Sequence, residues 1–331
     1  MFFNAQIEVF INNAKIITVH SAMVKNDAKE IGSSCDIVVP LNSRIAYRDT
    51  NILTEYLTAN VTNTFKSGDP VQVNAWYDGL PKLNIFNGFV YDFKEGTPTT
   101  IKCLDYIYFL EQTIQTLSYK NVTLQALVKK ALEGTGVDLV LPTIQMNLVN
   151  ISFPMMTPGA ILEYFKKELG FNITLTGNQL FIGLASTNLG AVNLASDRNV
   201  IKCDLQRKDA IFDKIFIRAW YILQNGKKTY IDVGDTSGQM IEQWFNSVEY
   251  DFATYQNLAQ QALIKAKQYR YKGGLETLLY PEIDLFWAAT YYDIRYTDRS
   301  AIYNVTEMNI SCDERGFHRH LKLAYLSDIN G

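Results

Sequence analysis

Apolar and polar residues alternate one by one over much of the chain, and the densest such stretch runs from Gly68 to Leu110. After a Gly68-Asp69-Pro70 turn, Val71, Val73, Ala75 and Tyr77 fall on every second position. Beyond the break at Gly79–Pro81, Ile85, Phe89, Tyr91 and Phe93 mark a second run, and Ile101 and Cys103 a third. A period of two between turn residues is the pattern of a half-buried antiparallel strand. From Leu104 to Leu110 the spacing turns helical. Three strands and a helix in so short a span predict a compact barrel or sandwich corner.

Upstream, Ile7, Val9 and Ile11 alternate up to Asn12-Asn13, and Ile17 and Val19 return, which predicts a hairpin. Ser33–Val39 reads as a further strand, and Thr50 as the cap of a short helix through Tyr56. Near residue 119 the pattern changes. Leu124, Leu127, Val128, Ala131 and Leu132 are spaced as one face of a helix capped by Thr123 and stopped at Gly134. A short strand at Val137–Leu141 follows. Thr157-Pro158 opens a second helix, with Ile161, Leu162, Phe165 and Leu169 on its apolar face and Gly170 at its end. A hairpin then turns at Gly177-Asn178.

From Val200 the two-residue period returns, and Asn225-Gly226 gives a strong hairpin signal. A long polar helix is predicted over Phe252–Tyr271, ended by Gly273-Gly274, before strands that run to the end of the chain. Residues 68–110 and 277–326 repeat one order: strand, turn, long strand, acidic turn with Gly, apolar strand. The predicted fold class is therefore α+β and mainly β, with two similar antiparallel β-barrel domains flanking a small α/β domain. The expected divisions are 1–118, 119–196 and 197–331, the last carrying the helix at 252–271.

Composition narrows the function. The 31 basic and 34 acidic residues nearly cancel, so a grip on a phosphate backbone is not the default. The N-terminus lacks the basic and apolar regions of a secretory signal, which predicts a soluble protein made in a cytoplasm. Cys35, Cys103, Cys203 and Cys312 lie far apart within strand-like runs, a pattern of buried free thiols and not of a zinc site.

No reactive constellation emerges. Gly234-Asp235-Thr236-Ser237-Gly238 has the look of a nucleophile loop, but a serine needs an oriented base. The only histidines are His20, His318 and His320, and the last two share the polar face of their strand. Asp92 with Glu95 and Asp313 with Glu314 sit beside turn glycines, where carboxylates are commonly solvated. The doublets Lys129-Lys130, Lys166-Lys167 and Lys227-Lys228 form no basic patch with interleaved aromatics, and no phosphate-cradling loop is present. No catalytic, cofactor-binding or metal-binding residue is assigned, and the chain is expected not to be an enzyme.

The run GDPVQVNAWYDG, IFNGFVYDF and PTTIKCLDYIYFL resembles the N-terminal barrel of the baseplate hub proteins of contractile phage tails and injection systems. The helix from Thr123, the helix from Thr157-Pro158 and the NQLFIGL hairpin look like that family's middle insert. The stretch from GGLETLLYPEIDLFW to SAIYNVTEMNISCDERGFHRHLKL is similar to its closing barrel, with Tyr280-Pro281-Glu282 where the family often has Pro-Gly-Asp. The resemblance implies a tube-type fold shared with the hub part of type VI secretion spike proteins. It further implies a homotrimer whose paired barrels make a pseudo-sixfold ring between a sixfold tail tube and a threefold spike. Tube, spike and baseplate proteins would be its partners, a virion tail assembled in the bacterial cytoplasm its place. A genome would pass the central channel without specific binding, and no membrane insertion is implied. With the chain ending soon after the second β region, no fused spike domain is expected. Two alternatives stand beside this one: a carbohydrate- or cell-surface-binding β protein, and a polysaccharide hydrolase using Asp92 and Glu95.

Overall fold

A computed structural model describes residues 4–49, 52–140, 144–184, 189–207, 214–223, 225–245, 252–267, 271–314 and 316–328. The chain is α+β and mainly β. Strands β1 (Ala5–Ile11) and β2 (Ala14–Ile16) form the predicted first hairpin. Asn12 and Asn13 both take left-handed backbone, at φ 49° and 64°, the twist a two-residue hairpin turn demands and asparagine tolerates. There follow β3 (Ser21–Asp27), β4 (Ser34–Val39), β5 (Asn42–Asp49), β6 (Ile52–Asn60) and a single helical turn, α1 (Val61–Thr64). Residues 52–60 were expected to begin as a helix and are instead a strand laddered along β5. Isoleucine and threonines at 52, 54 and 58 suit a pleated surface, and the long β5 edge decides the outcome. Thr50, the expected cap, lies outside the described residues. The meander read from the alternation is present as β7 (Pro70–Tyr77), β8 (Leu83–Lys94) and β9 (Thr99–Leu104), followed by α2 (Ile107–Leu110).

The next part contains β10 (Gln115–Thr123), α3 (Leu124–Leu132), β11 (Asp138–Leu139), β12 (Asn147–Met156), α4 (Pro158–Glu168), β13 (Asn172–Thr176) and β14 (Gln179–Gly183). Both threonine caps act as the sequence indicates: Thr123 Oγ1 accepts from Ala126 N and Thr157 Oγ1 from Ala160 N, each at 3.2 Å.

The last part runs through β15 (Gly190–Ala195), β16 (Val200–Cys203), β17 (Gln206–Arg207), β18 (Ile215–Ile222), β19 (Lys228–Gly234), β20 (Gln239–Phe245) and α5 (Phe252–Lys267). It closes with β21 (Tyr271–Lys272), β22 (Gly274–Thr277), β23 (Trp287–Tyr292), β24 (Ala301–Asp313) and β25 (Gly316–Asp328). Gly273 does not stop α5 as expected. It carries φ 111° between β21 and β22, where an added Cβ would lie 2.4 Å from the carbonyl oxygen of Asp204.

The two β-rich regions were expected to be separate barrels. Among the described residues they form one 15-stranded sheet, and no closed barrel is found. The hydrogen-bonded path runs β16-β22-β25-β24-β3-β4-β9-β8-β7-β1-β2-β5-β6, with β23 and β15 branching from β24. The junction is the antiparallel ladder of β24 residues 307–312 with β3 residues 22–27. A register shift between Val305 and Glu307 frees the preceding half of β24 to pair with β23.

Each region nevertheless turns back on itself through the chain. In the first, β4 pairs with β9 and β5 with β2, while β4 and β5 are joined by only Pro40 and Leu41. The circuit β1-β2-β5/β4-β9-β8-β7 therefore returns to β1 around a covalent corner. In the second, β15 pairs with β23 and β16 with β22, with residues 196–199 as the corner.

Two apolar cores result. One is shared by both β regions, from Val9 and Ile37 through Tyr291, Tyr303 and Leu323. The other gathers Leu124, Leu148, Phe165 and Leu180 together with Ile217, Tyr255 and Leu258. Strand β18, the end of β20 and α5, which the sequence placed with the closing β region, thus bury Ile217, Phe245, Tyr255 and Leu258 with the small α/β part. The inner face of β18 and β20 packs on α5, and Tyr221 stacks on Tyr255 at 4.3 Å.

Candidate assembly surface

The groups that carried possible chemistry are accounted for by local structure. Ser237 Oγ donates to Asp235 Oδ1 at 2.6 Å, and Ser237 N donates to the same oxygen at 3.0 Å, so the hydroxyl belongs to a turn. The glycines of that loop have a backbone reason. The chain passes from β19 to β20 around the start of β18, and a Cβ on Gly238 would lie 1.9 Å from the carbonyl oxygen of Lys214. His318 Nδ1 lies 2.8 Å from Glu276 Oε1 on the neighbouring strand, far from that loop in the fold. Asp92 is an exposed partner of Lys102 at 3.7 Å, and Glu95 is exposed beside it. Among the described residues no three His, Cys, Asp or Glu side chains are grouped to hold a metal ion. Cys35, Cys103 and Cys312 are buried in the shared core, and burial pushes their thiols up.

What the structure does build is a rigid joint between the two β regions. Beyond the β3–β24 ladder, Tyr77 at the end of β7 packs edge-on to Phe317 of β25 at 5.2 Å and tilts against Tyr280 at 6.3 Å. The Tyr280 hydroxyl donates to the carbonyl oxygen of Pro81, and Asn26 Nδ2 to Asp284 Oδ1 at 3.4 Å. Arg319, only 2% exposed, holds the loop on its own side: Nε donates to Thr277 Oγ1 and Nη1 to the carbonyl oxygen of Leu279, both at 2.9 Å.

The second joint ties the first β region to the small part: Leu175 N donates to the carbonyl oxygen of Ile31 at 3.1 Å, and beside it Asp105 braces the segments at Ser33 and α2 within the first region. Asp105 Oδ2 accepts from Ser33 N at 2.6 Å and Ser33 Oγ at 2.9 Å, and its Oδ1 from Ile107 N at 2.9 Å. Burial outweighs these donors and raises the carboxyl to about 6. Lys166 of α4 adds a donor to the carbonyl oxygens of Glu30 and Ile173; burial lowers it to about 8.

Two features of the surface bear on assembly. Among the described residues β6 pairs with β5 alone, which leaves its outer edge as a template, and Leu57 on it is 51% exposed. The outward face of β18–β20 lines up in rows across the strands: Asp232, Arg218 and Glu242, then Tyr230, Trp220 and Trp244. Trp220 and Trp244 stack at 5.4 Å with planes 12° apart, Arg218 covers Tyr230 at 4.3 Å, and Lys228 lies 5.4 Å over Trp244. Arg218 is also bidentate to Asp232 at 2.9 and 2.8 Å. Rings packed on one another and on cations make a surface, not the free platforms a stacked sugar requires. This face does not favour the glycan-binding alternative.

No family model and no curated protein sequence matches the chain. Solved structures do. A tail protein from Neisseria meningitidis MC58 superposes with a TM-score of 0.69 at 14% identity, over 97% of this chain and 96% of that one. The 43 kDa tail protein of prophage MuSo2 from Shewanella oneidensis gives 0.65 at 14%, over 97% and 98%. An Escherichia coli type VI secretion component, described as similar to the T4 bacteriophage tail proteins gp27 and gp5, gives 0.62 at 9%, over 96% and 77%. The chain shares the fold of phage tail proteins and of type VI secretion proteins across nearly its whole length.

Proposed function

We propose that this chain is a structural, non-enzymatic subunit of a phage or prophage tail or a related injection machine, acting as its baseplate hub. The observation that carries the reading is the doubled circuit: two β regions, each returning on itself through a chain corner, welded by β24 and β3 over a single core. Three copies of such a chain supply six like units, which is what a ring needs to face a sixfold tube on one side and a threefold spike on the other. The outer edge of β6 supports this, since strand pairing with a neighbouring copy would cover it. In this reading the two units are the tube-type barrels of the ring, and the tail of the particle is where the protein resides. Spike, tube and baseplate proteins are its partners.

The test is mass in solution together with partner binding. Light scattering on the purified chain, alone and with the spike protein encoded beside it, is expected to give a trimer that binds one spike trimer. A monomer at high concentration that also ignores the spike overturns the proposal.

A further inference from the structure

Beneath the β18–β20 sheet lies a cavity of about 240 Å3 that belongs to neither joint. Ile217, Ile241 and Phe245 wall it from the sheet, Leu258 and Ala262 from α5, and Leu169 from the end of α4. No Asp or Glu lines it, and Lys265 is the charged side chain among its lining residues. Two partly buried lysines near each other are treated differently here. Lys166 donates hydrogen bonds to two carbonyl oxygens, whereas Lys265 has no hydrogen-bond or ion-pair partner among the described residues. Its Nζ stands 3.5 Å from the point a Cβ on Gly170 would occupy, at the C-terminal end of α4. The negative end of that helix explains why a cation settles there. It sets the partly desolvated ammonium at the rim of a largely apolar space, whose polar lining side chains are otherwise Gln243 and Gln261.

We propose that this cavity takes an aliphatic monocarboxylic acid, its tail filling the space between α5 and the sheet and its carboxylate accepting from Lys265 Nζ. Charge complementarity selects the ligand: a largely apolar chamber whose charged lining among the described residues is a single cation favours an acid over a neutral or cationic amphiphile of equal length. Burial already lowers the ammonium's pKa, and a bound carboxylate restores the charged state.

Calorimetry on the whole chain at pH 7 tests this with octanoate, octanol, octylamine and N-acetyl-leucine, the last mimicking a polypeptide C-terminus. Octanoate is expected to bind at least about tenfold more tightly than octanol, the worth of one charge-assisted hydrogen bond, and octylamine not to bind. Lys265→Met keeps the stem and is expected to erase the preference for the acid, while Lys265→Arg retains it. Ala262→Phe fills the chamber and is expected to abolish binding of octanoate and octanol alike, with the far-ultraviolet spectrum and oligomer mass confirming that each variant is folded. Absence of octanoate binding, or octanoate binding as tight in folded Lys265→Met as in the parent, overturns the proposal. So does binding of N-acetyl-leucine without octanoate, which would reassign the cavity to a chain terminus.

Discussion

The two β regions are built on one plan and differ in how they come home. Each centres on a three-strand antiparallel meander, β7-β8-β9 in the first and β23-β24-β25 in the second. Around the first meander every added pairing is antiparallel, and its corner continues a long bent hairpin in which β2 and β3 run beside β5 and β4. Around the second, β15 arrives parallel to β23, so the corner must be made by a separate short segment at 196–199. Each region also has a tight spot, on β8 within the first meander and on β22 beside the second. A Cβ on Gly88 would meet the carbonyl oxygen of Leu104 at 2.3 Å, and one on Gly274 that of Leu321 at 2.0 Å. Glycine inside a strand marks a place where one backbone closes on another, and both regions need such a place. The difference teaches that the meander is the repeated element, while the route of return and the place of close approach are free to vary.

That comparison can be broken in several ways. The largest expected effect is at Tyr303, fully buried, packed edge-on to Tyr271 at 5.6 Å and donating to the carbonyl oxygen of Arg299 at 2.7 Å. Tyr303→Ala is expected to cost about 3–5 kcal/mol in urea unfolding. Because the regions share one core, Trp76 in the first and Trp287 in the second should report the same shifted midpoint; two separate midpoints would mean two bodies. Next come Gly88→Ala and Gly274→Ala, each expected to cost about 1–3 kcal/mol because a backbone must move aside. A neutral Gly274→Ala would mean that only the first region depends on its close approach.

The turn aspartates sharpen the contrast. Asp105 follows β9 and Asp293 follows β23, and each accepts two backbone N–H groups. At Asp105 burial wins and the carboxyl rises to about 6. At Asp293 burial also opposes ionisation, but the N–H donors of Tyr296 and Arg295, with the Tyr291 hydroxyl, prevail and lower it. The signs oppose. The contribution of Asp105 to stability is complete below its unfolded value of 3.8 and is lost as pH climbs through about 6. The contribution of Asp293 is present above 3.8 and is lost as pH falls through its depressed folded value. Carboxyl carbon shifts followed from pH 2 to 8 should place the two midpoints on opposite sides of the reference aspartate. The smallest effects belong to the other core: Thr123→Ala and Thr157→Ala are expected to cost about 0.5–2 kcal/mol each by loss of a helix cap.

Much of this was legible in the residues. The Asn12-Asn13 and Asn225-Gly226 turns, the threonine caps and the meander at 70–104 follow from local rules, because their partners are close in sequence. The pair β10 and β12 was not legible because β10 is mostly polar, with Leu117 its one buried side chain, and its partner lies beyond α3 in the chain. The weld of β3 to β24 was not legible at all, since it joins residues 22–27 to 307–312 and no local pattern marks a strand's distant neighbour. Nor was the grouping of β18, the end of β20 and α5 with the small part, which depends on where the chain is carried after β16. The loop at 234–238 was read as a turn and not as a nucleophile loop, because no oriented base accompanies its serine; the backbone crossing that sets its glycines was not legible in the letters.

The β24–β3 ladder has a mechanical meaning. Six residue pairs lie side by side along two antiparallel strands, so a force drawing the two β regions apart along the strand axis loads them together in shear. Bonds strained in parallel yield at once or not at all, whereas a seam opened from one end unzips in sequence. A coupling that must hold two units in line under load is best made this way, and Tyr77 packed against Phe317 adds a side contact beyond the ladder.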